Sequence, residues 1–174
     1  DINFKEIIQY DGMVNFEDDA SDQIKAEALK QIQSTENVMD AQEGFVYTTK
    51  TYDDKVDETA TVHVFDKEDV SREFNLRTRV GYKPISLTDD GVIINEKLAE
   101  NLDVHIGDKI TIEDAEGIPH EVNVSGITEM YVNHFVLMSR KYYKEVFGKD
   151  AGSNTVYLST TGDDAAQKLL ANHI

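Results

Sequence analysis

The chain has 174 residues, 40% hydrophobic and 29% charged, with only ten glycines and two prolines. This is the composition of a globular domain with enough apolar side chains for a real core, and it excludes a low-complexity polymer. The formal net charge of −17 repels phosphate backbones and anionic lipid, which argues against nucleic-acid binding and against a face lying flat on a membrane. Cysteine is absent, so disulfides, thiolate metal sites and cysteine nucleophiles are excluded together; the absence also leans toward an envelope or secreted location.

In chain order, Phe4, Ile7 and Ile8 have helical spacing. After the Asp11-Gly12 turn signal, Met13, Val14 and Phe16 suggest a strand. From Ser21, a plausible N-cap, Ile24, Ala28, Leu29 and Ile32 form one helical stripe. Residues 38–52 and 60–66 read as strands, with Phe45-Val46-Tyr47-Thr48-Thr49 rich in β-branched and aromatic side chains; the polar Asp53-Asp54-Lys55 between them predicts a hairpin. Residues 67–86 fit neither period and are expected to be a short helix or an irregular crossover.

The second half is clearer. Val92-Ile93-Ile94 is a short buried strand, and Asn95 is placed to cap a helix bearing Leu98 and Leu102. Gly107-Asp108 breaks the chain before an alternating strand at Ile110 and Ile112. A turn at 114–117 follows, and Val122 and Val124 continue the alternation. The apolar parity moves from even to odd at Ile127, so Gly126 sits where a β-bulge is expected. Phe135 to Met138 is another strand, and Ser139 caps a helix with Tyr143, Val146 and Phe147 on one face and Gly148 as its stop. Val156 and Leu158 form a last strand. Thr161 to Asp164 has the capping-box form, ahead of a helix with Ala165, Leu169 and Leu170.

No constellation of reactive residues stands out. The five histidines, His63, His105, His120, His134 and His173, are nowhere closer than 14 residues, without the short-spaced pairs that mark many metal sites. Loops aligned on Gly91 or Gly117 lack the carboxylate pattern of a calcium site. The pairs Asp53-Asp54, Asp89-Asp90 and Asp163-Asp164 adjoin turns or a helix start, where capping explains them. There is no G-x-S-x-G elbow, Ser125 lies within a strand, and the glycines are scattered singly. Asn123-Val124-Ser125 matches a glycosylation triplet of low specificity. Tyr131, Phe135, Tyr142, Tyr143 and Phe147 either line a groove for a peptide or lipid or form the core where strands meet a helix; core is the simpler reading. No catalytic, cofactor-binding or metal-ligating residue is therefore assigned.

The order of elements over 91–148 resembles a known family. Ile93-Ile94-Asn95-Glu96-Lys97-Leu98-Ala99, Gly107-Asp108-Lys109, Val124-Ser125-Gly126-Ile127 and Met138-Ser139 with Tyr142-Tyr143 are similar to the motifs of the extracytoplasmic domain of FtsX-like, MacB-like ABC-transporter permeases. The likeness is firm over the C-terminal half and faint before residue 84. It implies an α+β fold of the MacB-like periplasmic-core type, a mixed or antiparallel sheet with short flanking helices. It also implies a single non-catalytic domain over 1–174 on the outer side of a cell membrane, as in a Gram-positive bacterium. Within it, 1–10 and 163–174 are expected to be membrane-proximal stalks, 87–160 the strand–helix–GD–strand core, and 11–86 a more variable contact lobe. The implied partners are transmembrane helices of the same polypeptide and a cytoplasmic ATP-binding subunit that does not touch this domain; a peptide, lipid or lipoprotein is the implied ligand, in export or peptide sensing. No apolar run reaches the ~18 residues of a span, and the chain begins at Asp1, so it is expected to be a piece of a longer protein. Two alternatives stand beside this: a free-standing cradle-loop or psi-barrel domain, which shares the L-A-x-x-L helix and G-D strand, and a secreted adhesin or enzyme with a site built from distant residues.

Overall fold

One strand of fifteen residues, Val38–Tyr52, decides the architecture, because it is long enough to take three partners. In this computed structural model, which describes residues 12–15, 21–33, 38–53, 55–65, 87–129 and 133–160, the elements are β1 (Gly12–Asn15), α1 (Asp22–Gln33), β2 (Val38–Tyr52), β3 (Asp57–Phe65), β4 (Val92–Asn95), α2 (Glu96–Leu102), β5 (Lys109–Glu113), β6 (Pro119–Thr128), β7 (Phe135–Ser139), α3 (Arg140–Phe147) and β8 (Thr155–Thr160). The sheet runs β1-β8-β2-β3-β7-β4-β6-β5. The β3–β7 and β4–β6 pairs are parallel and the others antiparallel. The α+β class with a mixed sheet and short helices is thus as expected. The N-terminal part of β2 pairs with β8, its C-terminal part with β3, and its last two residues with β5, Thr51 opposite Ile112 and Tyr52 opposite Thr111. That last pairing closes β2-β3-β7-β4-β6-β5 into a six-stranded barrel, while β8 and β1 continue from β2 as an arm. The closure is not written in any local pattern.

Alternation fills the barrel. Ala60, Val62, Val64, Val92, Ile94, Ile110, Ile112, Val122, Val124, Val136 and Met138 point inward into one buried cluster, as a two-residue period requires. Following the strand directions, β4 ends and β5 begins at the same end of the barrel, so α2 lies across that opening and plugs it with Leu98, Ala99 and Leu102. β7 ends at the opposite rim, where α3 plugs the barrel with Tyr142, Tyr143 and Phe147. The outward side chains of the central strands are buried too: His63, Phe65, Ile93 and Leu137, with Leu137 in register with both His63 and Ile93. Burial on both faces is why β4 and β7 read as unbroken apolar runs.

Local chemistry sets the ends of these elements. The β2–β3 hairpin turns where Asp53 Oδ1 accepts the Lys55 and Val56 amides at 2.8 and 3.2 Å, and β3 begins at Asp57, earlier than expected. Ser21 Oγ accepts the Ile24 amide at 3.2 Å and caps α1, yet no residue from 21 to 31 is buried. Ser139 Oγ accepts the Tyr142 amide at 3.0 Å, and Gly148 closes α3 at φ 75°, the left-handed conformation glycine takes without strain. The bulge is real: Val92 pairs with Val124 but Ile93 with Gly126, which leaves Ser125 unpaired and turns Ile127 toward the core. Gly91 is needed beside it, since a Cβ there would lie 2.6 Å from Ser125 Cβ and 2.9 Å from the Asn123 carbonyl. Asn95 occupies the N-cap position of α2, but its side chain caps nothing there. The expected helices at 1–10 and 163–174, the 67–86 crossover and Phe16 lie outside the described residues. Residues 38–65, read from sequence as part of the variable lobe, include two of the six barrel strands.

Two outcomes test this construction. Thr49 Oγ1 donates to the Glu113 carbonyl at 2.8 Å and accepts its amide at 3.1 Å across the β2–β5 seam. Thr49→Val strips both partners, so urea unfolding should show a loss of about 2 kcal/mol with an unchanged denaturant slope. Burial lowers the His63 imidazole to about 4 from its ordinary 6.5. The unfolded chain therefore binds the extra proton between those values, and stability present above pH 6.5 is lost as pH falls toward 4. His63→Gln should flatten that part of the stability–pH curve measured by thermal unfolding.

Candidate functional site

The titratable side chains are dispersed over the barrel. His63 lies on the outer face of β3, stacked at 9° on Phe65. His105 is exposed in the α2–β5 loop, 3.7 Å from Asp108, and His173 lies outside the described residues. Among the described residues no three histidine, aspartate or glutamate side chains converge in a way that could hold a metal ion. The carboxylates read as turn residues behave as such: Asp53 caps the hairpin, the Thr88 hydroxyl bonds Asp90, and Asp89 lies 3.8 Å from Lys141. Asp54, Asp163 and Asp164 lie outside the described residues. Ser125 Oγ donates to the Val92 carbonyl at 3.2 Å, a bulge contact.

Among the described residues a charged cluster sits at the α3 end. Asp114 is 3% exposed and its Oδ1 accepts the Glu116 and Ile118 amides at 2.9 and 3.0 Å. Its other oxygen lies 3.1 Å from Lys149 and 3.4 Å from His120, while Lys149 also reaches Glu116 at 3.1 Å. Burial pushes this carboxyl up, but the two amides and Lys149 outweigh it and hold it below the usual carboxylate range. The group is engaged in closing the β5–β6 turn and tying it to the loop after α3 through Lys149. Beside it the aromatic residues form a core. Tyr143 meets Phe147 edge-to-face at 4.6 Å, and Phe45 and Tyr47 at 6.1 and 6.4 Å. Burial, with Tyr143 and Asp114 nearby, pushes the Tyr47 phenol strongly up, which keeps it a neutral donor to the Glu113 carbonyl at 2.9 Å. Phe135 is buried on the other face of β7 and so does not join them; Tyr131 lies outside the described residues.

Among the described residues, the α2 end carries a recess of ≈ 330 Å³ lined by Thr59, Ala60, Thr61, Asn95, Lys97, Asn133 and His134. Parallel pairing of β3 with β7 puts Thr61 beside Phe135, and hence Thr59 and Thr61 beside Asn133 and His134. Asn95 fixes the wall: its Nδ2 donates to the Asn133 carbonyl and its Oδ1 accepts the Phe135 amide, both at 3.1 Å. This holds Asn133 at φ 38°, a conformation asparagine tolerates better than most residues. His134 Nε2 faces Glu58 at 3.5 Å and Asn101 at 3.4 Å. The recess offers hydroxyls, amides and one ammonium, which suits hydrogen-bonded binding. Sequence reading assigned none of these residues, because they meet only through the β3–β7 pairing, which no local spacing encodes.

No family model matches the chain, and no curated protein matches it in sequence. Among solved structures it is similar to the extracellular domain of the noncanonic ABC-type transporter YknZ from Gram-positive bacteria, with a TM-score of 0.54 and 19% identity over 96% of this chain and 94% of that one. It is also similar to the periplasmic region of MacB from Actinobacillus actinomycetemcomitans, with a TM-score of 0.54 and 10% identity over 98% and 85%. Identity at these levels speaks for the fold, and the chain has the fold of the MacB-like extracytoplasmic domain.

Proposed function

We propose that the chain is the extracytoplasmic domain of an ABC-transporter permease, a non-catalytic module that engages a substrate or partner and is moved by ATP hydrolysis on the far side of the membrane. The observation that carries this reading is the end-to-end likeness to the YknZ extracellular domain, 96% of one chain on 94% of the other. The sequence motifs in 91–148 support it from an independent direction. A plugged barrel also suits the role, since it transmits displacement as one body rather than deforming. The partners are then transmembrane helices of the same polypeptide and a cytoplasmic ATP-binding subunit, and the ligand is a peptide, lipid or lipoprotein handled in export or sensing. The contact lobe is placed over 11–86 in this reading, the segment that departs most from the family motifs.

The closed ring also favours a second reading, a free-standing cradle-loop barrel, and one experiment separates the two. The chain lacks cysteine, so a cysteine introduced here into the full-length polypeptide, compared with the same polypeptide lacking it, reports on this domain. Ile106→Cys, on a loop side chain 62% exposed, should react with a membrane-impermeant maleimide on intact cells. Val62→Cys, fully buried, should react only after denaturation. Labelling of Ile106→Cys confined to lysed cells would overturn the permease reading and favour the free-standing one.

A further inference from the structure

We infer that the recess at the α2 end of the barrel binds a small anionic group rich in acceptors, a carboxylate or a phosphate. Its wall supplies donors from the Lys97 ammonium, the Thr59 and Thr61 hydroxyls and the Asn133 amide, while His134 Nε2 is already turned to Glu58 and Asn101. Asn95 is already committed to the Asn133 carbonyl and the Phe135 amide, so it shapes the wall instead of competing for ligand. No hydrogen bond within the described residues engages the side chains of Thr59, Thr61 or Asn133. Lys97 meets Glu100 at 3.8 Å with both side chains about two-thirds exposed, at 67% and 68%; such a surface pair holds its cation loosely and leaves it able to turn to a ligand.

On a chain of net charge −17, an anion is held only where a cation and neutral donors offset the general repulsion, and Lys97 with the threonine hydroxyls and the Asn133 amide provide that combination. Three carboxylates lie near it. Glu58 faces His134 at 3.5 Å, Glu100 faces Lys97, and Glu96 opens α2. They oppose binding and select for a ligand small enough to stay on the Thr59–Asn133–Lys97 side. Hydrogen bonds between charged partners are the strong ones, so Lys97 carries most of the binding and the threonine hydroxyls give orientation. The inference stands whether or not the chain belongs to a permease.

The test uses the isotope-labelled 174-residue chain, followed by NMR during titration with inorganic phosphate, with N-acetylglycine as a soluble carboxylate, and with methyl glucoside as a neutral hydroxyl compound. Saturable shifts of the Thr59, Thr61, Asn133 and His134 amides with either anion are expected, and the tighter of the two identifies the source. Lys97→Gln, an exposed substitution that leaves the fold intact, should weaken that binding about tenfold, and Thr59→Val should weaken it less. Shifts that fail to saturate, that methyl glucoside reproduces, or that Lys97→Gln leaves unchanged would overturn the inference.

Discussion

The architecture depends on one seam, where the end of β2 meets β5. Only two residue pairs join these strands, Thr51 with Ile112 and Tyr52 with Thr111. Side chains extend the seam. Thr49 bonds both the amide and the carbonyl of Glu113, and the Tyr47 hydroxyl bonds the same carbonyl. Without this joint the sheet would have two open edges, each a row of unpaired amides and carbonyls. With it, six strands enclose a core among the described residues, and β8 and β1 continue from β2 as an arm.

The seam fixes register, but it does not supply the bulk of the stability. Leu98, Leu102, Tyr142, Tyr143 and Phe147 enter the barrel from its two ends, and each large side chain removed from water is worth about 1.5–3 kcal/mol. That exceeds what a few hydrogen bonds contribute at about 1 kcal/mol each. The division explains the placement of polar groups. The inner wall at the seam tolerates Thr49 and Thr51 because each hydroxyl has a backbone partner, Glu113 for one and Glu58 for the other. At the α2 end, Asn95 does the same for the Asn133–Phe135 segment at the start of β7, donating to the Asn133 carbonyl and accepting the Phe135 amide.

How much of this was legible follows from the range of each interaction. Ser139, Gly148 and Asp53 act within four residues, and the sequence announced all three as caps or turns. The bulge at Ser125 was visible as a change of parity, because it displaces every following side chain by one place. Asn95 was read half correctly: its position before α2 is local, but its hydrogen bonds go to residues 38 and 40 positions away. The β2–β5 closure spans some sixty residues and is carried by threonines that serve any strand equally well, so no pattern flagged it. The recess failed to appear for the same reason, as Thr59 and Thr61 look like ordinary strand residues until β7 is laid beside them. The boundary drawn near residue 86 followed clarity of pattern, whereas the sheet follows pairing and draws β2 and β3 into the same barrel as β4–β7.

Acid should act on the two barrel faces in sequence, because the sensitive groups titrate in different windows. His63 is buried on the outer face and takes a proton readily only when unfolded, so its effect falls between pH 6.5 and about 4. Asp114 is the opposite kind of group, stable as the anion. Its folded value lies below the ordinary 3.8, so the stability it contributes is present above that ordinary value and is lost only as pH falls through the depressed one. Mild acid therefore weakens the outer face around His63 and Leu137 first, while the Asp114–Lys149 tie between the β5–β6 turn and the loop after α3 persists. The β5–β6 turn is the more acid-resistant of these two places, because Asp114 is held there by the Glu116 and Ile118 amides of its own turn as well as by Lys149, and amide donors do not titrate.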